Sequence, residues 1–522
     1  MEFKDINEIE KATTKGRSET FRLGMAVVFI VGIMLFVGTG MEAMHNGYLL
    51  VAAAMIGGYM AINIGANDVA NNVGPAVGSR ALTLTGAIII AGIFEASGAL
   101  IAGGDVVSTI KKGIIDPGMI NDPDTFIWLM MGALLAAAIW LNVATAMGAP
   151  VSTTHSIVGG VLGAGIAAGG VDIANWDKMG QIAASWVISP VLGGLIAAAF
   201  LYLIKRSVTY QGDMRAAAKR IVPILVMLMA WAFATYLMLK GVKKIWKVDF
   251  FTAAMIGMAI AIIVFLIVKP MIAKAADKLS NDKSGVNSLF TIPLIFAAAL
   301  LSFAHGANDV ANAVGPLAAI NEAIMSGEVA SKTIIPLWVM MVGALGIALG
   351  LALYGPKLIR TVGSEITELD QTRAFCIAMA ASITVIIASQ LGLPVSSTHI
   401  AVGGVFGVGF LREYLKASYS TMIEEIKAHH TDQDQEVVEK FLLDFKSASI
   451  DEKGRMLTQL KENSASAELT KRERKDLRKV YRQELVKRSH FYKIAAAWVI
   501  TVPVSGLLAA LFYFMLRGML MS

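Results

Sequence analysis

The seven residues Gly-Ala-Asn-Asp-Val-Ala-Asn occur at 65–71 and again at 306–312, and each copy runs on to a Val-Gly-Pro, at 73–75 and 314–316. Each copy brings one carboxylate and two amides into otherwise apolar sequence. On a helix Asp68 and Asn71 lie three residues apart and share a face while Asn67 projects to the side, and Asp309, Asn312 and Asn308 repeat the arrangement. Asn and Asp compete for backbone hydrogen bonds, and Gly65 before and Gly74-Pro75 after weaken the helix further, so a break is expected in each copy. Freed carbonyls beside a carboxylate suit a hard cation, with sodium at Asp68 and Asp309 and further oxygens from Asn67, Asn71, Asn308 and Asn312. Small polar residues also glue helices together in membranes. An ionisable residue recurring at the equivalent place in two halves favours function over glue.

A second pair of motifs suits the opposite charge. Pro150-Val-Ser-Thr-Thr-His155 is echoed by Pro394-Val-Ser-Ser-Thr-His399, and both lead into Val-Gly-Gly-Val-x-Gly-x-Gly. Proline favours a helix start, Ser and Thr cap it, and a helix N-terminus offers free N–H groups and a positive dipole end to an oxyanion. Ser152, Thr153, Thr154, Ser396, Ser397 and Thr398 add hydroxyls, and the spaced glycines allow close helix contact. His155 and His399 read as hydrogen-bonded supports in preference to proton shuttles. Glu95, inside an apolar run, is a further intramembrane carboxylate whose counterpart in the second half is apolar, and its burial points to a place on the transport path.

Carboxylates beside an anion are unfavourable in low dielectric unless cations or protons accompany it. No Lys or Arg lies in any of the four motifs, which argues against a basic anion pore and for cation-coupled symport. An intramembrane hydrolase assembled from Ser152, His155 and Asp68 is the rival in another class, but an enzyme has no reason to keep two copies of such a set. No enzymatic activity and no cofactor are therefore expected. Phosphate is preferred to sulfate because it retains a P–O–H that can donate to an acceptor-rich site. Sodium is preferred to protons because paired Asp and Asn oxygens form a cage that a proton does not need.

Composition agrees with a membrane location: 56% of residues are hydrophobic, 16% are charged and the mean hydropathy is +0.64. Apolar runs fall at roughly 22–43, 47–77, 81–103, 126–148, 150–170, 179–204, 221–240, 248–270, 287–318, 333–356, 373–392, 394–411 and 491–517. Residues 1–21 mix cations with carboxylates and offer no small-residue cleavage site, so the first run should stay as an anchor. The single cysteine, Cys376, can form no intramolecular disulfide. The basic connection 205–220 and Lys-rich 269–286 belong in the cytoplasm by the positive-inside rule, which places the N-terminus inside and 104–125 and 319–332 outside. Lys240, Lys243, Lys244 and Lys247 dissent, since they fall on the outer side.

With that count the two copies enter the membrane from opposite sides. The expected fold is an all-α polytopic membrane protein of two inverted-topology repeats, with broken or re-entrant helices, roughly 12–13 membrane elements and a small soluble helical insert. Its segments are a cytosolic N-terminus (1–21), a first transmembrane helix (22–46), repeat 1 (47–204), a cytosolic connection with two linking helices (205–286), repeat 2 (287–411 and 491–522) and the insert (412–490). Trp186-Val-Ile echoed by Trp498-Val-Ile extends the pairing, with Pro190 and Pro503 shortly after. In the insert, Ser449-x-x-Glu452 and Thr470-x-x-Glu473 read as capping boxes. Its basic run 471–488 lacks an aromatic platform, so no nucleic-acid partner is expected, and His429-His430 is too small a cluster for a metal.

At its four motifs the chain closely resembles the inorganic phosphate transporter (PiT) family, whose members carry two Gly-x-Asn-Asp-Val-x-Asn and two Pro-x-Ser-x-Thr-His motifs. Ser302-Phe-Ala-His-Gly-Ala-Asn-Asp309 is typical of it. The resemblance implies a secondary symporter of phosphate with sodium or protons, often a homodimer, in the cell membrane, which in a bacterium is the inner membrane. It implies that Asp68, Asn71, Asp309 and Asn312 serve cation and phosphate, that Thr153, Thr154, Ser397 and Thr398 hold phosphate oxygens, and that Glu95 matches a glutamate some members need. Ala378 stands where a second family glutamate is expected, and the insert splits the second half where many relatives carry a loop between halves. Sulfate is the runner-up substrate among relatives.

Overall fold

The structure, a computed structural model, describes residues 3–39, 47–120, 122–149, 151–241, 246, 248–327, 335–364, 369–427 and 488–521. The capping boxes and His429-His430 of the insert, Pro150, Lys243, Lys244 and Lys247 lie outside the described residues. Within them the chain is helical, and the extended contact is one isolated bridge, Ile115 to Ala174. In chain order the helices are α1 (Phe3–Thr39), α2 (Gly47–Asn67), α3 (Val69–Gly78), α4 (Leu84–Ala102), α5 (Gly104–Lys112), α6 (Pro123–Met147), α7 (Thr153–Gly169) and α8 (Trp176–Ile204). There follow α9 (Met214–Lys240), α10 (Phe250–Asp277), α11 (Lys283–Ser288), α12 (Thr291–Asp309), α13 (Ala311–Ser326), α14 (Leu337–Ser364), α15 (Gln371–Gln390), α16 (Ser397–Lys427) and α17 (Arg488–Leu520).

Eleven described helical stretches are long and apolar enough to cross a bilayer, and they coincide with eleven of the thirteen apolar runs. The other two runs, 150–170 and 394–411, are α7 and the start of α16, each the returning arm of a helical hairpin. The chain is thus a multi-pass membrane protein. The connections expected outside the membrane hold more structure than their polarity indicated. The 104–125 segment contains α5 and a 3₁₀ turn, and α13 extends to Ser326, well into 319–332.

Both hairpins are built by the same local chemistry. Asp122 caps the start of α6 by accepting from Asp124 N and Thr125 N, and Asp370 caps α15 by accepting from Arg373 N. Each first arm then ends at a left-handed glycine, Gly148 (φ 72°) or Gly392 (φ 64°), a conformation glycine adopts without steric cost. A short extended link follows. Ser152 Oγ accepts from His155 N at 3.1 Å to start α7, and Ser396 Oγ accepts from His399 N at 3.3 Å to start α16. The returning arm packs on the first at matched positions, Gly160 against Ala133 and Gly404 against Ile377.

The inverted repeats are interleaved. The second hairpin arm of each copy packs on the last helix of the other: Gly163 of α7 meets the Gly506 backbone of α17, and Gly407 of α16 meets the Gly194 backbone of α8. The broken helices obey the same rule, with Gly65 on the Ile347 carbonyl of α14 and Gly306 on the Glu95 carbonyl of α4. These contacts leave no room for a Cβ. Neither half completes its packing alone, so the motifs of both are drawn into one interior.

Lys240 resolves as something other than a stray loop cation. It is buried at the end of α9, and its Nζ donates to Ser389 O at 3.1 Å, near the C-terminus of α15 where a cation complements the helix dipole.

Candidate substrate and cation site

Asp68 and Asp309 sit at the helix breaks. Helix α2 ends at Asn67 and α3 starts at Val69; α12 ends at Asp309 and α13 starts at Ala311. Each break is one residue wide, because Asp68 stays near helical geometry (φ −87°, ψ −38°) and the amides of Asn71 and Ala313 bond three residues back to Asp68 O and Val310 O. These amides bond three residues back, away from the regular i−4 ladder, so the expected break is present in each copy.

Both aspartates are buried, and the hairpin tips bring hydroxyls to them from both halves. Thr153 Oγ1 donates to Asp68 Oδ2 at 2.6 Å, and Thr398 Oγ1 donates to Asp68 Oδ1 at 3.0 Å. Asn71 Nδ2 donates to Thr398 Oγ1 at 2.8 Å, and Asn312 Nδ2 donates to Thr153 Oγ1 at 3.0 Å and Thr154 Oγ1 at 3.2 Å. Ser397 Oγ donates to Asp309 Oδ2 at 3.3 Å, and Thr154 Oγ1 donates to Val395 O of the opposing tip at 2.9 Å. The starts of α7 and α16 therefore converge on one polar cluster, offering amides and positive dipole ends from both sides. Asn71 Oδ1 and Asn312 Oδ1, equivalent buried acceptors, receive no hydrogen bond from any described residue.

Other expected site residues hold the elements that surround this centre. Ser152 and Ser396 are the caps of their helices. Asn67 clasps the first hairpin: its Nδ2 donates to Thr145 Oγ1 (2.9 Å) and Ala149 O (3.2 Å), and its Oδ1 accepts from Val151 N (3.1 Å). Asn308 does the same for the second, and its amide is best satisfied with the nitrogen donating to Asp309 Oδ1 (3.1 Å) and Val395 O (3.2 Å) while the oxygen accepts from Ser389 Oγ. His155 and His399 meet ring to ring, centroids 4.4 Å apart, and each leans on a tryptophan, Trp186 at 3.8 Å and Trp498 at 3.6 Å. Their ring nitrogens have no hydrogen-bond partner among the described residues. Support is by ring contact, tilted or edge-on at His155 and stacked between His399 and Trp498, where hydrogen bonds were expected.

His305 is the residue that motif reading missed. Its Nδ1 lies 2.7 Å from Glu95 Oε2 and its Nε2 lies 2.9 Å from Asp309 Oδ2, all fully buried. Asn72, also not anticipated, donates from Nδ2 to Glu95 Oε1 at 2.7 Å. A neutral imidazole has one N–H, so a ring facing two carboxylates either carries a second proton or sits beside a protonated carboxyl. Ligand atoms of Asp68, His305 and Asp309 lie within 4.8 Å of one another, a grouping able to hold a cation. Hard cations take oxygen, so a cation held there would be ligated by the aspartates, not by the histidine.

A sequence-family model described as the phosphate transporter family matches residues 64–509, spanning both copies of both motifs. The chain belongs to the phosphate transporter family. A relative from Helicobacter pylori (strain J99), whose name assigns it by inference as a phosphate permease, is 53% identical over 98% of each chain. One from Pyrococcus furiosus with the same inferred role is 41% identical over 74% of this chain and 92% of its own length. A solved sodium-dependent phosphate transporter superposes with a TM-score of 0.74 at 32% identity, covering 91% of this chain and all of its own.

Proposed function

We propose that this protein imports inorganic phosphate by symport with sodium, binding both where the two hairpin tips meet the two broken helices. The observation that carries the reading is the pairing of donors and acceptors at one buried point. Two helix starts and their hydroxyls suit an oxyanion, while Asp68, Asp309, Asn71 Oδ1 and Asn312 Oδ1 are oxygens in need of a cation. Glu95, Asp68 and Asp309 make three buried carboxylates against one histidine. A phosphate entering that excess of negative charge requires accompanying cations. Phosphate is favoured over sulfate because its P–O–H can donate to a carboxylate or to the Asn oxygens, which sulfate would leave facing acceptors. Interleaved inverted repeats around a central site supply two opposite ways of exposing it, as alternating access demands.

Uptake of labelled phosphate into proteoliposomes, with sodium exchanged for choline at fixed pH, tests the reading. Collapse of uptake in choline and weak competition by equimolar sulfate are expected. The chain Glu95–His305–Asp309 gives protons a specific second claim as the coupling ion. Uptake indifferent to choline but abolished by a protonophore would move the assignment to protons.

A further inference from the structure

We propose that a groove between α8 and α16 seats an anionic phospholipid of the cytoplasmic leaflet, with its acyl chain against the rings that brace both hairpin tips. The groove holds about 680 Å³. Its floor is the crossing where Gly194 of α8 meets the backbone of Gly403 and Gly407 of α16, and glycine there leaves a trough with no side chain to fill it. Its walls are apolar and exposed, with Val191 and Leu195 on one side and Phe410 and Tyr414 on the other. The trough runs from Trp186 to Ala198 along α8 and from Gly403 to Tyr414 along α16, about 16–18 Å at the rise of an α-helix. Half of a hydrocarbon core is about 15 Å thick, so the length suits an acyl chain of a single leaflet.

The end near Ala198 is the cytoplasmic one by the positive-inside rule, since α8 leads into the basic connection 205–220. Tyr202, Tyr210 and Tyr414 are exposed around it, the placement of an interfacial aromatic belt. Residues 191, 195 and 198 share a helix face, and Lys205, still helical in its backbone, falls on that face about two turns beyond Ala198. Lys205 makes no ion pair with a described residue, and its Nζ lies 5.6 Å from the Tyr210 ring. Lys283, exposed at the start of α11, presses like charge on it together with Arg373 and Arg412, and Asp370 offsets part of that while pairing with Arg373 at 3.2 Å. A lipid phosphate at headgroup depth is the anion such a cluster attracts. Free phosphate would meet the cations and leave the trough open. A second copy of the chain seated on the same face would fill the trough and bring two cation clusters to one depth.

At its opposite end the groove is lined by Trp186 and Trp498. Trp186 leans on His155 and Trp498 on His399, and Trp186 Nε1 donates to Pro394 O at 3.2 Å in the link before α16. His155 and His399 directly follow Thr154 and Thr398. A chain packed on these indoles therefore steadies the starts of α7 and α16, which carry the hydroxyls of the site.

A photoreactive phosphatidylglycerol with a diazirine near the end of its acyl chain, added to the full-length protein in phosphatidylcholine proteoliposomes, tests this. Crosslinks should fall on Trp186, Val187 and Trp498, and unlabelled phosphatidylglycerol should compete where added phosphatidylcholine does not. Lys205→Gln with Lys283→Gln should weaken that competition about thirtyfold, the scale of two juxtamembrane charges. Ala198→Phe keeps both cations and should block the trough and the crosslink. In the wild type phosphatidylglycerol should raise Tm and lower the KM for phosphate at least about fivefold, the low end of coupling between two sites, and it should do neither in the variants. No crosslink in the groove, equal capture of a phosphatidylcholine probe, or a crosslink with unchanged Tm and KM would overturn the proposal. So would a disulfide between two copies of Val191→Cys in a Cys376→Ala background, since a second chain would then hold the groove. Wild-type protein that captures the probe and gains Tm but moves no phosphate keeps the lipid site and loses the symport reading.

Discussion

Asp68 and Asp309 are equivalent by sequence and unequal in surroundings. Asp68 accepts two hydroxyl hydrogen bonds, one from each hairpin, while Asp309 faces His305, which is braced from behind by Glu95 and Asn72. The close contacts Gly306 on Glu95 and Gly65 on Ile347 place the two arrangements in register. By that register Ile347 stands for Glu95, Ile64 for His305 and Ala313 for Asn72. One aspartate therefore has the histidine ring in direct contact, while the other takes hydroxyl hydrogen bonds and lies within 4.8 Å of the same ring. The two copies share the scaffold and differ at these flanking positions. Asp68 is the carboxylate that most needs a charge from outside.

The largest expected effect comes from neutralising either aspartate. Asp68→Asn and Asp309→Asn each remove a buried charge from a mutually bonded cluster, a loss of about 3–5 kcal/mol or roughly two to four orders of magnitude in phosphate uptake. Size-exclusion profiles should stay monodisperse, since the amide keeps the volume. Near-normal uptake in one of the two would mean that half of the motif is structural.

Next in size is the asymmetric arm. Glu95→Gln and His305→Gln each break charge-assisted hydrogen bonds of roughly 1.5–3 kcal/mol, so uptake should fall about 10- to 100-fold. The double variant should be no worse than the more severe single one, because the residues act as a unit. Additive losses would separate Glu95 from Asp309 and dissolve the contrast between the halves.

The scaffold, unlike the charges, should behave symmetrically. Gly163→Ala and Gly407→Ala each press a methyl into the opposing Gly506 or Gly194 backbone, and similar overpacking costs of about 1–3 kcal/mol should appear as matched drops in Tm. Unequal drops would show that the asymmetry extends beyond the polar arm.

Much of this was legible in the chain because the information was local and doubled. The motif pairs located both aspartates and both hairpin tips, and the apolar position opposite Glu95 already showed the site to be lopsided. His305 escaped because a lone histidine in an apolar run has no visible partner: Glu95 lies 210 residues away and is reached only through the α4–α12 crossing. Its i, i+4 spacing from Asp309 was the available signal, since it puts the two side chains on one helix face. Asn67 and Asn308 read as ligands because amide type alone does not say whether an oxygen faces a cavity or a neighbouring tip. The break at Asp68 was legible from the helix-weakening residues around it, but its width of one residue was not. Lys240 looked like a topological misfit while its carbonyl partner, Ser389, was out of sight.

Sodium binding to purified Asp68→Asn protein tests the central claim most directly. Equilibrium binding of labelled sodium should rise with added phosphate in the wild type, and this phosphate-dependent component should vanish in Asp68→Asn while the protein stays folded. Phosphate-dependent sodium binding of wild-type size in Asp68→Asn would contradict the account, because that carboxylate would then not be where the coupling ion sits.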